Sequence, residues 1–137
     1  MAVVKELLRL ESDGKLSFGN HELKTKAKLE DFKHAGDVYK VKTFNEITKL
    51  EKNGMFLYES VPGTSVLNFF EENDGVSFVV EGDKDAQITV GLEDNAEYEV
   101  VIAGENVGTM NTNVSGKLNL SVELEGAGEI EVKLTKK

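Results

Sequence analysis

Carboxylates are the most plentiful groups able to do chemistry in this chain, and two clusters bring them together: Glu71-Glu72 with Asp74, and Glu93-Asp94. Two carboxyl groups facing one cleft can divide the acid and nucleophile roles of glycoside hydrolysis. Both clusters sit beside Asn or Gly at expected hairpin turns, where solvated acids are ordinary, so the favoured reading is a wet loop and no catalytic residue is assigned. Asp83-Lys84-Asp85 lacks the glycine and distal glutamate of a helix-loop-helix calcium loop. His21 follows Gly19-Asn20 and His34 precedes Ala35-Gly36, each without a second histidine or a cysteine nearby, so both read as turn or surface histidines and no metal site is assigned. None of the serines lies in a nucleophile-elbow pattern. With no cysteine in the chain, thiol nucleophiles and cysteine-held metals are excluded. No cofactor is expected.

Binding is the better prospect. Sugar-binding β modules stack their ligands on exposed rings, and this chain offers three tyrosines and no tryptophan. Tyr39 and Tyr58 are the candidate platform, with core-edge packing as the plainer reading. Lys24, Lys26 and Lys28 alternate with Leu23, Thr25, Ala27 and Leu29, which puts the lysines on one face of an expected strand. That face is either an edge charged against unwanted pairing or a basic patch for an acidic partner.

Charge is unevenly spread along the chain. The net charge is −9, yet residues 1–69 carry eleven bases against ten acids, while residues 70–137 carry five against fifteen. So acidic a surface disfavours nucleic acid, which needs clustered Lys and Arg, and an anionic membrane would repel it. A contact between the lysine-bearing half of one copy and the acidic half of another is the sharper reading of the asymmetry.

The elements that must hold these residues are strands. Ile88, Val90 and Leu92, then Tyr98, Val100 and Ile102, then Leu118 to Leu124, then Ile130, Val132 and Leu134 repeat at period 2, the mark of strands with one buried face. They predict strands over 86–92, 97–103, 107–112, 117–124 and 129–135. Asp13-Gly14, Gly19-Asn20, Gly36-Asp37, Asn53-Gly54, Pro62-Gly63 and Asp74-Gly75 punctuate the first half at hairpin intervals. Strands are expected there over 15–18, 21–29, 38–43, 46–52, 55–61, 64–71 and 76–81. Asn53-Gly54 would set Leu50 opposite Leu57, and Asp74-Gly75 would set Phe69 opposite Val80 and Phe70 opposite Val79. Residues 3–10 fit strand or helix and are read as strand. Thr43-Phe44-Asn45-Glu46 has the form of a capping box, so a single helical turn is the main alternative to strand near 43–53.

The fold class is therefore all-β, an antiparallel β-sandwich. The expected division is a tightly packed N-terminal β domain over 1–83 and an immunoglobulin-like sandwich over 84–137, meeting near Gly82-Asp83-Lys84-Asp85, with no Pro/Ser-rich linker and hence with the halves packed together. Residues 1–9 include Lys5, Glu6 and Arg9 and lack the apolar run of a signal peptide, which predicts a cytoplasmic location. No run approaches the roughly 20 apolar residues of a membrane span.

The segments Asp13–Gly19, Val38–Lys42, Glu46–Gly54, Tyr58–Gly63 and Ser115–Leu118 together resemble a family of short uncharacterised clostridial (Firmicutes) proteins, over nearly the full length. Its members are sometimes labelled endosialidase. Sialic-acid enzymes hold the substrate carboxylate with several arginines. This chain has one, Arg9, so no catalytic residue of that activity carries over. The resemblance implies a bacterial, cytoplasmic setting. The function expected is non-enzymatic: a β-sandwich acting through its surfaces, by self-association or by binding a macromolecular partner, a protein or a carbohydrate. A carbohydrate-binding module is the alternative and a small glycosidase the less favoured one.

Overall fold

Period-2 patterning buries one face of each strand, and two such faces must cover each other. In the computed structural model, which describes residues 3–137, they do so as two antiparallel sheets packed face to face. Met1 and Ala2, the start of the stretch read for a signal peptide, lie outside the described residues. The first sheet holds β1 (Leu8–Leu10), β2 (Leu16–Phe18), β7 (Ser65–Glu72), β8 (Gly75–Glu81), β13 (Ile130–Lys136), β10 (Glu97–Ile102) and β11 (Glu105–Asn111), in that order. The second holds β12 (Lys117–Val122), β9 (Ala86–Gly91), β6 (Met55–Val61), β5 (Thr48–Lys52), β4 (Asp37–Thr43) and β3 (Ala27–His34). No helix forms among the described residues, and none is long and apolar enough to cross a membrane.

Each half of the chain contributes to both sheets. β8 pairs with β13 and β6 with β9, and one buried cluster runs from Leu8 to Leu134. Residues 82–85 cross from one sheet to the other, and the strands on either side of them form contiguous blocks, β1-β2-β7-β8 beside β13-β10-β11 in one sheet and β6-β5-β4-β3 beside β9-β12 in the other. The five C-terminal strands supply β13, β10 and β11 to one sheet and β9 and β12 to the other, joined to the first half through β8–β13 and β6–β9.

Two hairpins differ from their expected register, one by its turn and one by a bulge. The β7–β8 turn is centred on Asn73-Asp74, with Glu72 opposite Gly75 and Phe70 opposite Ser77, and the register then shifts between Leu67 and Phe70. Asn68 takes the left-handed conformation there (φ 55°), and the resulting bulge turns both Val66 and Phe69 inward. Gly75 thus lies inside β8 rather than in the turn, where a Cβ would sit 1.8 Å from the Leu134 carbonyl oxygen of β13. In the β5–β6 hairpin, Leu50 faces Tyr58 rather than Leu57, again across a register shift.

The segment 21–29 is only partly strand. Residues 21–26 form turns and bends, and β3 begins at Ala27 and runs on to His34, where the Ala35-Gly36 turn leads into β4. Residues 3–7 precede the short β1, and residues 44–46 bend without forming a helical turn. The Thr43 hydroxyl, the potential cap, is used elsewhere: it accepts from Asn20 N–H (2.9 Å) and bonds Thr48 Oγ1 (2.8 Å).

Candidate functional surfaces

The two tyrosines do not form a sugar platform. Tyr58 is fully buried among Phe18, Phe69 and Phe78, whose rings meet it edge-on at centroid distances of 5.2, 6.3 and 5.6 Å. Its hydroxyl bonds Thr64 Oγ1 at 2.8 Å, and burial pushes its pKa far above the usual tyrosine range. Tyr39 is also buried, and desolvation raises its pKa too. Period 2 turns both inward, Tyr39 with Val41 and Tyr58 with Ser60.

Around Tyr58 the core is threaded by hydroxyls. Ser60 Oγ bonds Thr64 Oγ1 (2.8 Å), and Thr48 Oγ1 donates to the Thr64 carbonyl (2.6 Å) and accepts from Thr64 N–H (3.1 Å). This network fixes the 61–64 connection, where Val61–Pro62 is cis and Gly63 passes so close to Phe44 that a Cβ would lie 1.9 Å from the Phe44 carbonyl oxygen.

His21, expected at the surface, is buried beside this network. Its Nδ1 lies 2.7 Å from Ser65 Oγ, and its Nε2 faces Asp83 Oδ1 at 3.5 Å without a hydrogen bond. Serine, histidine and aspartate thus stand in one row. Acyl transfer needs a substrate carbonyl to reach the serine oxygen, and Ser65 is fully buried with its hydroxyl also receiving the His21 N–H. The row locks the 19–25 loop onto β7. An open cleft of about 540 Å³ adjoins the row and is lined by its His21 and Asp83 together with Lys24, Glu46, Pro62 and Lys84.

The acid clusters are each tied to a lysine. Glu71 bonds Lys52 at 3.0 Å and Glu93 bonds Lys136 at 2.9 Å. Burial works against the Lys52 charge, but the hydrogen bond and field of Glu71 outweigh it and hold its pKa above the ordinary value.

The lysine stripe is rearranged rather than lost. Lys24 sits on the cleft rim, Lys26 precedes β3, and Lys28 alone of the three lies in a strand. What Lys28 joins is a row across strands: it stands opposite Lys42 of β4, and Lys42 stands opposite Lys49 of β5. With Lys40 and Glu51 these side chains line a trough of about 90 Å³ on the outer face. Lys40 is 3.5 Å from Glu30 and Lys49 is 3.6 Å from Glu51, whereas Lys28 and Lys42 have no carboxylate at ion-pair distance among the described residues. Like charges directly opposite one another destabilise a sheet. Lys40, Lys42 and Lys49 were missed in the sequence because only strand register brings them beside Lys28. Comparison with protein-family models, with curated proteins and with solved structures gives no match, so the clostridial resemblance rests on the sequence segments that carry it.

Proposed function

We propose that the protein is a non-catalytic β-sandwich that works through its surfaces, docking a carboxylate-rich protein partner on the lysine face of β3, β4 and β5. The observation that carries this reading is the Lys28–Lys42–Lys49 row. In an acidic chain, three lysines in cross-strand register cost stability in the free protein, and a partner's carboxylates would relieve that cost. The overall charge of −9 works against long polyanions such as nucleic acid, while a compact acidic patch meets the row without confronting the rest of the surface. The buried Ser65 hydroxyl and the inward tyrosines support neither the hydrolytic nor the sugar-stacking alternative.

The test is titration with a fluorescent glutamate-rich peptide at low and high salt, with a lysine-rich peptide as control. Binding of the acidic peptide alone, weakened by salt and lost in Lys42→Glu, is the expected result. Equal binding by wild type and Lys42→Glu would remove the lysine face from the account.

A further inference from the structure

Sheets end in edge strands whose outward N–H and C=O groups invite pairing with another chain, and proteins ordinarily blunt them. Three of the edges here are blunted. β1 has only three residues. β3 carries Lys28, Glu30, Asp31 and Lys33 and is bulged where Asp31 takes φ 57°. β11 is irregularly paired with β10 at Val100/Val101, and its Gly108 takes φ 116°. β12 has no such guard. It pairs with β9 without a register shift from Lys117 opposite Gly91 to Val122 opposite Ala86, and Lys117 is its one charge. Hydrogen bonds from Gln87 to Ser121 (2.7 Å) and from Thr89 to Asn119 (2.6 Å) hold its solvent face regular.

Hydrogen bonds at both ends of β12 show which backbone groups point outward. Gly116 C=O accepts from Leu92 N–H, and Leu124 N–H donates to Asp85, so even-numbered residues face the β9 side. The Lys117 N–H and C=O both engage Asn113 instead. Alternation therefore leaves Asn119 and Ser121 with their N–H and C=O groups at the open edge.

We propose that β12 is a dimerisation edge, pairing antiparallel with β12 of a second copy about a twofold axis at Leu120. This interface is separate from the lysine face. Three constraints fix the register. The buried face must meet the buried face, which sets even residues against even and odd against odd. Sliding two residues one way would put the Lys117 backbone, already bonded to Asn113, opposite Ser121. Sliding two residues the other way would pair Asn119 with Glu123, beyond the end of the β12–β9 ladder at Val122. In the remaining register Asn119 faces Ser121 of the other copy and exchanges both backbone hydrogen bonds, twice over by symmetry. Leu118 then stands opposite Val122 and Lys117 opposite Glu123, so opposite charges meet at both ends. The Lys117 ammonium now lies 4.7 Å from the centre of the Phe56 ring, and its flexible stem lets it turn to that carboxylate. The contact is self-complementary and uses both β12 edges, so it closes at a dimer and leaves only the guarded β3 edges at the ends of the joined sheet.

Sedimentation of the intact protein from about 1 µM to about 1 mM, a span covering weak and moderate affinities, tests this. Wild type is expected to dimerise, and more tightly as salt rises from about 10 to about 150 mM, because screening relieves the repulsion between two acidic copies. The peptide docking proposed above has the opposite salt dependence. Asn119→Pro removes an outward N–H that β9 does not use and should weaken the dimer about tenfold or more. Lys117→Glu, at a half-buried position, and Glu123→Lys, at an exposed one, should each weaken it, and mixing the two should restore it as a heterodimer, since both end pairs then regain opposite charges. A wild-type monomer at every concentration overturns the proposal and leaves the docking reading standing. A dimer that survives Asn119→Pro, or a mixture that forms no heterodimer, overturns the edge or the register.

Discussion

Around Phe18 and Tyr58 the interior is aromatic and threaded by hydroxyls, whereas between β9, β12, β10 and β13 it is aliphatic apart from Tyr98, built from Ile88, Val90, Val100, Leu118, Leu120 and Val132. The aliphatic region is held by buried area, which has no direction and tolerates swaps that conserve volume. The aromatic region adds ring geometry and a chain of buried hydrogen bonds, each of which leaves a costly orphan if one partner is removed. Its bonds also end on the 19–25 and 61–64 loops, which border the cleft. The contrast separates an end of the sandwich that supplies stability from an end that also specifies where loops lie.

Substitutions can break or sharpen this contrast. The largest effect is expected from Phe18→Ala, which empties a site where the Tyr58 and Phe69 rings meet at 5.2 and 5.6 Å; a loss of about 3–5 kcal/mol in urea unfolding is expected. Thr48→Val keeps the shape but strands the buried N–H and C=O of Thr64, for an expected loss of about 2–3 kcal/mol. Ile88→Val, in the aliphatic region, should cost only about 1 kcal/mol. If it cost as much as Thr48→Val, the two regions would not differ in kind.

The smallest effect is a pH dependence. Burial holds Tyr58 neutral far above the usual range. Above about pH 10 the unfolded chain ionises at this residue while the folded chain does not, so stability present below that pH falls as pH rises. Urea midpoints at about pH 8 and about pH 10.3, where the effect is only about 0.6 kcal/mol, should therefore converge in Tyr58→Phe relative to wild type. An unchanged difference would mean that other groups govern alkaline unfolding.

The strand pattern was legible wherever alternation is strict. Ile88 to Leu92 and Leu118 to Leu124 point inward as period 2 requires. It failed at bulges. Asp31 and Asn68 take left-handed backbone and convert an i, i+2 spacing into i, i+3, so that Leu29 with Phe32 and Val66 with Phe69 share a face. A reader of alternation alone ends the first strand early, and the Asp74-Gly75 turn signal sets the second turn one residue too late. Burial of His21 was hidden for a related reason: its place is set by Ser65, far away in sequence. The lysine row, too, exists only once β3, β4 and β5 are in register.

The position of β13 has a consequence for how the protein is made. This last strand lies between β8 and β10, inside its sheet rather than at a margin. During synthesis, β1, β2, β7 and β8 can assemble only up to an unfilled seam, and β10 with β11 waits unattached on its far side until Ile130–Lys136 leaves the ribosome. Between the emergence of β11 and that of β13 the nascent chain therefore carries two unpaired strand borders, on β8 and on β10, and in that interval wrong pairing competes with folding.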